Sequence, residues 1–152
     1  MTWDRNKIAE KTRGIYFSTA ANFKQVKATG KKCMQNGYGG DSPENDVETL
    51  IKGLKKHPNS GEVILIPNNW ANIIGFKFIN QIDRPVRVIV CGAHFGINVQ
   101  YLELARRING SIHTIDKDIT NLITFKEGET IQISGKKFTI KNGQFTKHSK
   151  YK

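Results

Sequence analysis

The sequence predicts an α/β protein: a three-layer, Rossmann-like sandwich with a mainly parallel sheet, followed by an antiparallel β-hairpin appendage. Residues 63–66 are a continuous apolar run, which is typical of a strand buried on both faces, and residues 86–91, apolar except at Arg87, predict a second buried strand. Strand and helix patterns alternate with short turns up to residue 118, which indicates right-handed βαβ units with helices on both faces of the sheet. After residue 118 apolar and polar residues alternate around tight turns, as in antiparallel hairpins.

The length of 152 residues fits one domain with a substantial core. We place an α/β domain at residues 1–118 and a hairpin extension, packed on the same domain, at residues 119–152. No stretch approaches the ~20 apolar residues that a membrane helix needs, and the first residues lack the apolar segment of a signal peptide. Two cysteines make no disulfide framework. We therefore expect a cytoplasmic protein without a membrane partner.

The first predicted elements are a short strand and a helix. Residues 14–18 are typical of a strand, whereas residues 1–13 do not decide between helix and coil. Asn22 is suited to cap a helix that runs through about Asn36 and stops at Gly37. The side chains expected to face inward from this helix are Phe23, Val26, Gly30, Cys33 and Met34.

An acidic corner, residues 39–46, precedes the second helix. Ser42 is expected to be the N-cap and Pro43 the first helical residue, where a missing N–H costs nothing. Asp41 and Glu44, three residues apart, are placed to hold a hard cation in this rigid corner. The alternative is that Glu44 and Asp46 only complement the helix dipole. The apolar spacing predicts one buried helical face before Pro58, formed by Val47, Leu50, Ile51 and Leu54.

Between and after the two apolar strands the pattern predicts further helices. One runs from Trp70, expected to be a packing residue, to about Ile82. Cys91, inside the second apolar run, is expected to be a small buried hydrophobe. The next helix leads to a third strand at residues 111–115, and its predicted inner face consists of Tyr101, Leu104, Ala105 and Ile108.

The C-terminal part predicts two tight turns. Residues 129–134 and 137–140 alternate around Gly135-Lys136, a two-residue hairpin signal. Asn142-Gly143 is a second turn signal, and a short strand follows it.

Polar side chains collect at the carboxyl ends of the predicted parallel strands, where open α/β sheets bind ligands. They carry mostly oxygen atoms, which suits Mg²⁺ or Ca²⁺ rather than zinc. His94 is the one histidine at this edge. The edge gathers Asp41, Ser42, Glu44, Asn68, Asn69 and the loop of residues 92–96.

Two other functions stay open as alternatives. The net charge of +11 would suit association with nucleic acid, although the lysines fall largely on predicted helix faces and hairpin edges. A small Rossmann-like hydrolase or transferase is less favoured, because neither a dinucleotide fingerprint nor a Walker A motif is present. Cys91 with His94 suggests a nucleophile and a base, but a cysteine in a buried strand is poorly placed for attack. No Ser-His-Asp arrangement can be argued from the spacing.

The order of elements and the acidic corner resemble a von Willebrand factor type A (VWA) domain. The resemblance covers roughly residues 14–118 and is carried by residues 39–48, 64–71, 86–91 and 110–115. The Asp-Ser-Pro-Glu corner is similar to a cation-holding loop of integrin β-subunit domains. Asp41 and Glu44 match the second loop of the family's metal-ion-dependent adhesion site. Asn68 stands where the third loop normally has an aspartate.

The resemblance implies a non-enzymatic protein-interaction module with an incomplete metal site. The family's Asp-x-Ser-x-Ser loop is absent, and its first strand, first helix and second strand have no counterpart before Gly14, so the chain looks truncated or diverged at its amino terminus. Binding of Mg²⁺ or Ca²⁺ is therefore expected to be weak or absent. The missing strand would leave sheet edges exposed, which favours a homo-oligomer. The expected metal ligands are Asp41, Glu44 and Asn68, and the expected contacts to a protein partner are Ser42, Asn69, Trp70 and His94.

Overall fold

The computed structural model describes Ser18 and residues 22–36, 45–70 and 72–148. These residues have mixed α/β content, with helices and two sheets. The α-helices are α1 (Phe23–Asn36), α2 (Asp46–Lys56) and α3 (Val99–Arg107), and 3₁₀ helices span Phe76–Gln81 and Leu122–Thr124. The strands are β1 (Ile64–Leu65), β2 (Arg87–Ile89), β3 (Ser111–His113), β4 (Asp118–Ile119), β5 (Thr130–Ile133), β6 (Lys136–Lys141) and β7 (Gln144–Lys147). The predicted strand at residues 14–18, apart from Ser18, and the Gly37 stop lie outside the described residues.

Strands β1 to β4 form one sheet in chain order. β1, β2 and β3 are parallel, and β4 is antiparallel to β3. The register aligns Leu65, Val88, Ile112 and Ile119 in one row across the sheet, and all four side chains are buried. The predicted mainly parallel sheet is therefore confirmed.

Burial alternates along these strands, so the outer face of the sheet is open. Leu65 is 9% exposed, whereas its neighbours Ile64 and Ile66 are 46% and 62% exposed. Successive side chains of a strand point to opposite faces, and here one of those faces is solvated. The prediction that residues 63–66 are buried on both faces is wrong, because an apolar run does not reveal how many faces are covered. Cys91 is also exposed, contrary to the expectation of a buried thiol.

Helix α3 contacts both sheets: β2 and β3 of the first, and β7 of the second. Asn98 caps the helix, since its side chain accepts a hydrogen bond from the backbone N–H of Gln100. The predicted inner face is confirmed. Leu102 and Glu103 are buried as well, so the helix is enclosed on more sides than a single apolar stripe would indicate.

Strands β5 to β7 form the antiparallel second sheet. Ile133 pairs with Lys136, which leaves Ser134 and Gly135 as the turn residues, with φ of 46° and 71°. The predicted turn at Gly135-Lys136 is therefore one residue too late, because Ser134 itself adopts the left-handed conformation. The second turn, at Asn142-Gly143, is confirmed.

Helix α1 has the predicted bounds but not the predicted burial. The side-chain oxygen of Asn22 accepts a hydrogen bond from the backbone N–H of Gln25 at 3.0 Å, which confirms the cap. Phe23 and Met34 are nevertheless 79% and 83% exposed, so the apolar residues of this helix do not face a core. None of the helices in the described part of the chain is long and apolar enough to cross a membrane.

Helix α2 begins later than predicted. Asn45 occupies its N-cap position, so the cap is not Ser42. The buried face is largely confirmed, since Val47, Leu50 and Leu54 are buried. This apolar face joins the same core as α3 and the first sheet.

The connection between β1 and β2 contains a short 3₁₀ helix rather than a helix that starts at Trp70. Gly75 has a φ of +75°, in the left-handed region, and a right-handed helix cannot pass through it. Trp70 is 80% exposed and is not a packing residue.

Candidate functional site at the strand ends

The described residues that the sequence singled out lie at the carboxyl ends of β1 and β2. Asn68, Asn69 and Trp70 follow β1, and His94 lies in the loop of residues 92–96 after β2. A parallel bridge between Asn68 and Cys91 carries the β1–β2 pairing up to this point. The predicted edge is thus formed by these two segments.

Of the three expected metal ligands, the structure describes only Asn68. Asp41 and Glu44, with the neighbouring Ser42, lie outside the described residues. The side-chain oxygen of Asn68 accepts a hydrogen bond from the backbone N–H of Trp70 at 3.0 Å, so it caps its own turn. Within the described ranges, no three His, Cys, Asp or Glu side chains are placed to hold a metal ion. The cation site stays a prediction.

The side chain of Asn69 connects the strand ends through hydrogen bonds. Its Nδ2 donates hydrogen bonds to the carbonyl oxygens of Gly96 at 2.7 Å and Gly92 at 3.3 Å. Its Oδ1 accepts one from the backbone N–H of Asn98 at 2.8 Å. One amide side chain therefore joins the end of β1, the loop after β2 and the start of α3, which gives the site a fixed frame.

Two large aromatic side chains stand exposed on this frame. Trp70 is 80% exposed and Phe95 is 69% exposed. The indole Nε1 of Trp70 lies 3.8 Å from the position that a Cβ on Gly92 would take, so the indole approaches the loop closely. The rings of His94 and Phe95 are 4.3 Å apart between centroids, at 58° to each other. Exposed aromatic side chains of this size commonly anchor partners.

A hollow of about 260 Å³ lies between these aromatic side chains, and Lys147 of β7 lines it. The ammonium of Lys147 is 3.6 Å from the position of a Cβ on Gly96, and the side chain of Lys136 also approaches that point. We call Asn69, Trp70, Phe95 and Lys147 the strand-end surface. The sequence predicts the loop that carries Phe95 without singling out Phe95 itself, and it misses Lys147. An aromatic residue inside a glycine-flanked loop signals Phe95, but nothing in the sequence signals Lys147, which comes from the other sheet.

Asp46, the acid of the predicted corner that the structure describes, is a buried structural residue. Its Oδ2 accepts a hydrogen bond of 2.6 Å from the hydroxyl of Tyr101, which is fully buried in α3. Burial raises the pKa of the Asp46 carboxyl, against the opposing effect of the Tyr101 hydrogen bond. The hydrogen bond between Asp46 and Tyr101 therefore connects α2 to α3, and burial in this position disfavours the charged form of the Asp46 carboxyl.

The two aspartates at positions 46 and 116 are expected to respond to pH in opposite directions. The raised pKa of Asp46 means that its stabilising contribution is full below the unfolded pKa, about 3.9, and is lost as the pH rises through the folded pKa. Asp46→Asn should therefore gain stability relative to the native chain as the pH rises above the unfolded pKa.

Asp116 is the matched control. Hydrogen bonds from the backbone N–H of Ser134 and the hydroxyl of Thr114 lower the pKa of its carboxyl. Its contribution is thus present above the unfolded pKa and is lost as the pH falls through the folded pKa. Asp116→Asn should lose stability at neutral pH, and this loss should shrink in acid. Urea unfolding of both variants at several pH values measures this, and a parallel pH response would contradict the assignment.

A second polar cluster lies away from the strand ends, on the open outer face of the first sheet. Ser111 Oγ is 2.8 Å from His113 Nε2, and His113 Nδ1 is 2.8 Å from Asp118 Oδ1. A Ser-His-Asp chain is therefore present, although the sequence spacing does not argue for one. The i, i+2 spacing of Ser111 and His113 is a readable signal for a shared strand face. The antiparallel pairing that brings Asp118 opposite His113 is not readable from the sequence.

The described residues define a mixed α/β protein with one mainly parallel and one antiparallel sheet. Comparison of the chain with protein-family models, with curated proteins and with solved structures finds no match in any of the three.

Proposed function

We propose that this chain is a protein-interaction module whose strand-end surface binds an acidic segment of another protein. The observation that carries the proposal is the pair of exposed aromatic side chains, Trp70 and Phe95, which line one hollow together with Lys147. Binding at this surface requires no nucleophile or base and no bound metal.

Preorganisation supports a binding role for these aromatic side chains. Two hydrogen bonds of Asn69 hold the loop of residues 92–96 against the end of β1, and a third holds the start of α3 there. A partner would therefore meet Trp70 and Phe95 on a frame that is already ordered, and less conformational entropy is lost on binding.

Charge complementarity supports an acidic partner. Lys147 lines the hollow and the stem of Lys136 lies beside Gly96, in a chain whose net charge is +11. A carboxylate of the partner can pair with the Lys147 ammonium while its apolar neighbours contact the two aromatic rings. Electrostatic attraction from the whole chain would also speed the encounter.

The proposal keeps two parts of the VWA resemblance, the parallel strand order and the degenerate metal site. β1, β2 and β3 run parallel in chain order, with α3 between the last two, as the proposed architecture requires. In intact VWA domains the bound metal receives an acidic side chain of the partner. Here Lys147 would offer a positive charge at the same strand ends, with Mg²⁺ or Ca²⁺ bound weakly or not at all. Among the described strands β1 lies at the edge of the first sheet, and a second copy of the chain would pair there.

The test is a binding titration with short synthetic peptides that alternate acidic and apolar residues. Fluorescence anisotropy should show saturable binding of the acidic peptide and a loss of about tenfold or more in affinity for Trp70→Ala, since a central aromatic anchor typically contributes 2 kcal/mol or more. Lys147→Glu should weaken the same peptide by a similar factor. A peptide with asparagine and glutamine in place of the acids should bind the native chain weakly.

Lys141→Glu is the matched control, because it makes the same charge change at an exposed position beside the Asn142-Gly143 turn of the same sheet. It should leave peptide affinity nearly unchanged. If Lys141→Glu and Lys147→Glu weaken peptide binding equally, the loss reflects the net charge of the chain, and a specific binding surface at Lys147 is contradicted. Tighter, steeply salt-dependent binding of a single-stranded oligonucleotide, lost in Trp70→Ala, would instead support the nucleic-acid alternative.

A further inference from the structure

We infer that Ser111, His113 and Asp118 form a serine-nucleophile site on the outer face of the first sheet, able to hydrolyse carboxylic esters with an anionic acyl group. This site is separate from the strand-end surface and does not depend on the function proposed there.

The geometry of the three side chains is that of a nucleophile, a base and an orienting acid. Ser111 and His113 are two residues apart on β3 and share a face, and Asp118 is the cross-strand partner of His113 on β4. The contacts Ser111 Oγ to His113 Nε2 and His113 Nδ1 to Asp118 Oδ1 are both 2.8 Å. The cluster is reachable from solvent, since the side chain of His113 is 23% exposed.

The hydrogen-bond partners assign the imidazole tautomer. A carboxylate only accepts hydrogen bonds, so the Nδ1 of neutral His113 carries its proton and donates it to Asp118. The Nε2 is then the acceptor of the Ser111 hydroxyl proton. This is the arrangement in which imidazole acts as a general base toward a serine.

The reaction balances with water as the only co-reactant. Ser111 Oγ attacks the ester carbonyl carbon and forms a C–O bond, while its proton passes to His113 Nε2. The imidazolium returns that proton to the departing alkoxide as the ester C–O bond breaks. Water then attacks the acyl-serine with His113 again as base, which releases the carboxylic acid and restores the hydroxyl. Asp118 is a positioning residue that stabilises the imidazolium.

The surroundings of Ser111 favour an anionic acyl group. Ser111 lines a hollow of about 370 Å³ together with Arg84 and Arg87. Arg87 is the register partner of Ser111 on β2 and is half-exposed, with its Nη2 2.9 Å from Glu62 Oε1. A surface ion pair of this kind contributes little, so a substrate carboxylate can replace Glu62 on the guanidinium.

Two probes test the site in the full chain: a tagged fluorophosphonate and a pair of 4-nitrophenyl esters, the neutral acetate and the anionic glutarate monoester. The native chain should be labelled at Ser111, as located by peptide mass, and should hydrolyse the glutarate ester in preference. Ser111→Ala and His113→Gln should each lower kcat by about 100-fold or more. Arg87→Gln should raise KM for the glutarate ester and leave the acetate unaffected.

Asp118 has its own readout. Asp118→Asn should lower kcat at nearly unchanged KM by about tenfold or more, and Asp118→Glu should restore part of it. Ser134→Ala is the matched control, because the Ser134 hydroxyl bonds Asp116 directly at 3.1 Å with no imidazole between them. The inference is overturned if the native chain is not labelled. It is also overturned if the native, Ser111→Ala and Ser134→Ala chains show equal labelling and hydrolysis.

Discussion

Phe138→Ala is expected to lower the free energy of unfolding by about 3–5 kcal/mol, the usual cost of removing a buried aromatic ring. Phe138 is fully buried on the central strand of the second sheet, where it pairs with Ile131 of β5 and Lys147 of β7. The ring belongs to the same core cluster as α3, so the loss should reach both sheets rather than the hairpin alone. Urea unfolding followed by circular dichroism measures the change.

Phe23→Ala is the control for this prediction. Phe23 is 79% exposed on α1, so the same truncation there should change stability by no more than about 0.5 kcal/mol. A similar loss in the two variants would mean that the burial assigned to Phe138 is wrong. Loss of the second sheet with the first sheet intact would mean that the two sheets do not share a core.

Gly110→Ala is expected to cost about 3 kcal/mol, because the new Cβ would meet backbone rather than a movable side chain. A Cβ on Gly110 would stand 2.3 Å from the carbonyl oxygen of Val86. That oxygen accepts the hydrogen bond from the N–H of Ser111 at 3.1 Å, at the start of the β2–β3 pairing. Relief of the clash would therefore have to move β2 away from β3.

Gly53→Ala is the matched glycine control. Gly53 lies inside α2, and a Cβ there meets nothing within 4 Å. The substitution should raise the unfolding free energy by roughly 0.5–1 kcal/mol, since alanine is the better helix former. A neutral Gly110→Ala would show that α3 and β3 join with more space than the close approach to Val86 allows.

The sequence predicts where the helices and strands of this fold lie better than it predicts which of their faces are covered by other elements. The spacing of Tyr101, Leu104 and Ala105 identifies the core face of α3, and Asn22 identifies the start of α1. Such local patterns reflect helix periodicity and capping, which depend on neighbouring residues. The sequence does not show that Ile64 and Ile66 face solvent, because that depends on what packs on the sheet from elsewhere.

The candidate site is predicted only as an edge of the sheet. Asn69 and Trp70 follow an apolar strand, which is enough to place them at a strand end. The hydrogen bonds of Asn69 go to carbonyl groups more than twenty residues away in the chain, which local patterns do not reveal. Lys147 lies on a strand of the second sheet, so the sequence does not place it at this site. Trp70 is exposed, and the left-handed Gly75 interrupts the helix that the sequence predicts from Trp70 to about Ile82.

The most direct test of the strand-end proposal is a chemical-shift titration of the ¹⁵N-labelled chain with the acidic peptide. We expect the largest shifts on the Trp70 indole N–H, the Asn69 side-chain amide and the backbone amides of the loop of residues 92–96. In Trp70→Ala the shifts of the Asn69 amide and of the loop should disappear. Shifts confined to β1 or to the outer face around Ser111, with the Trp70 and Asn69 signals unmoved, would contradict the strand-end proposal.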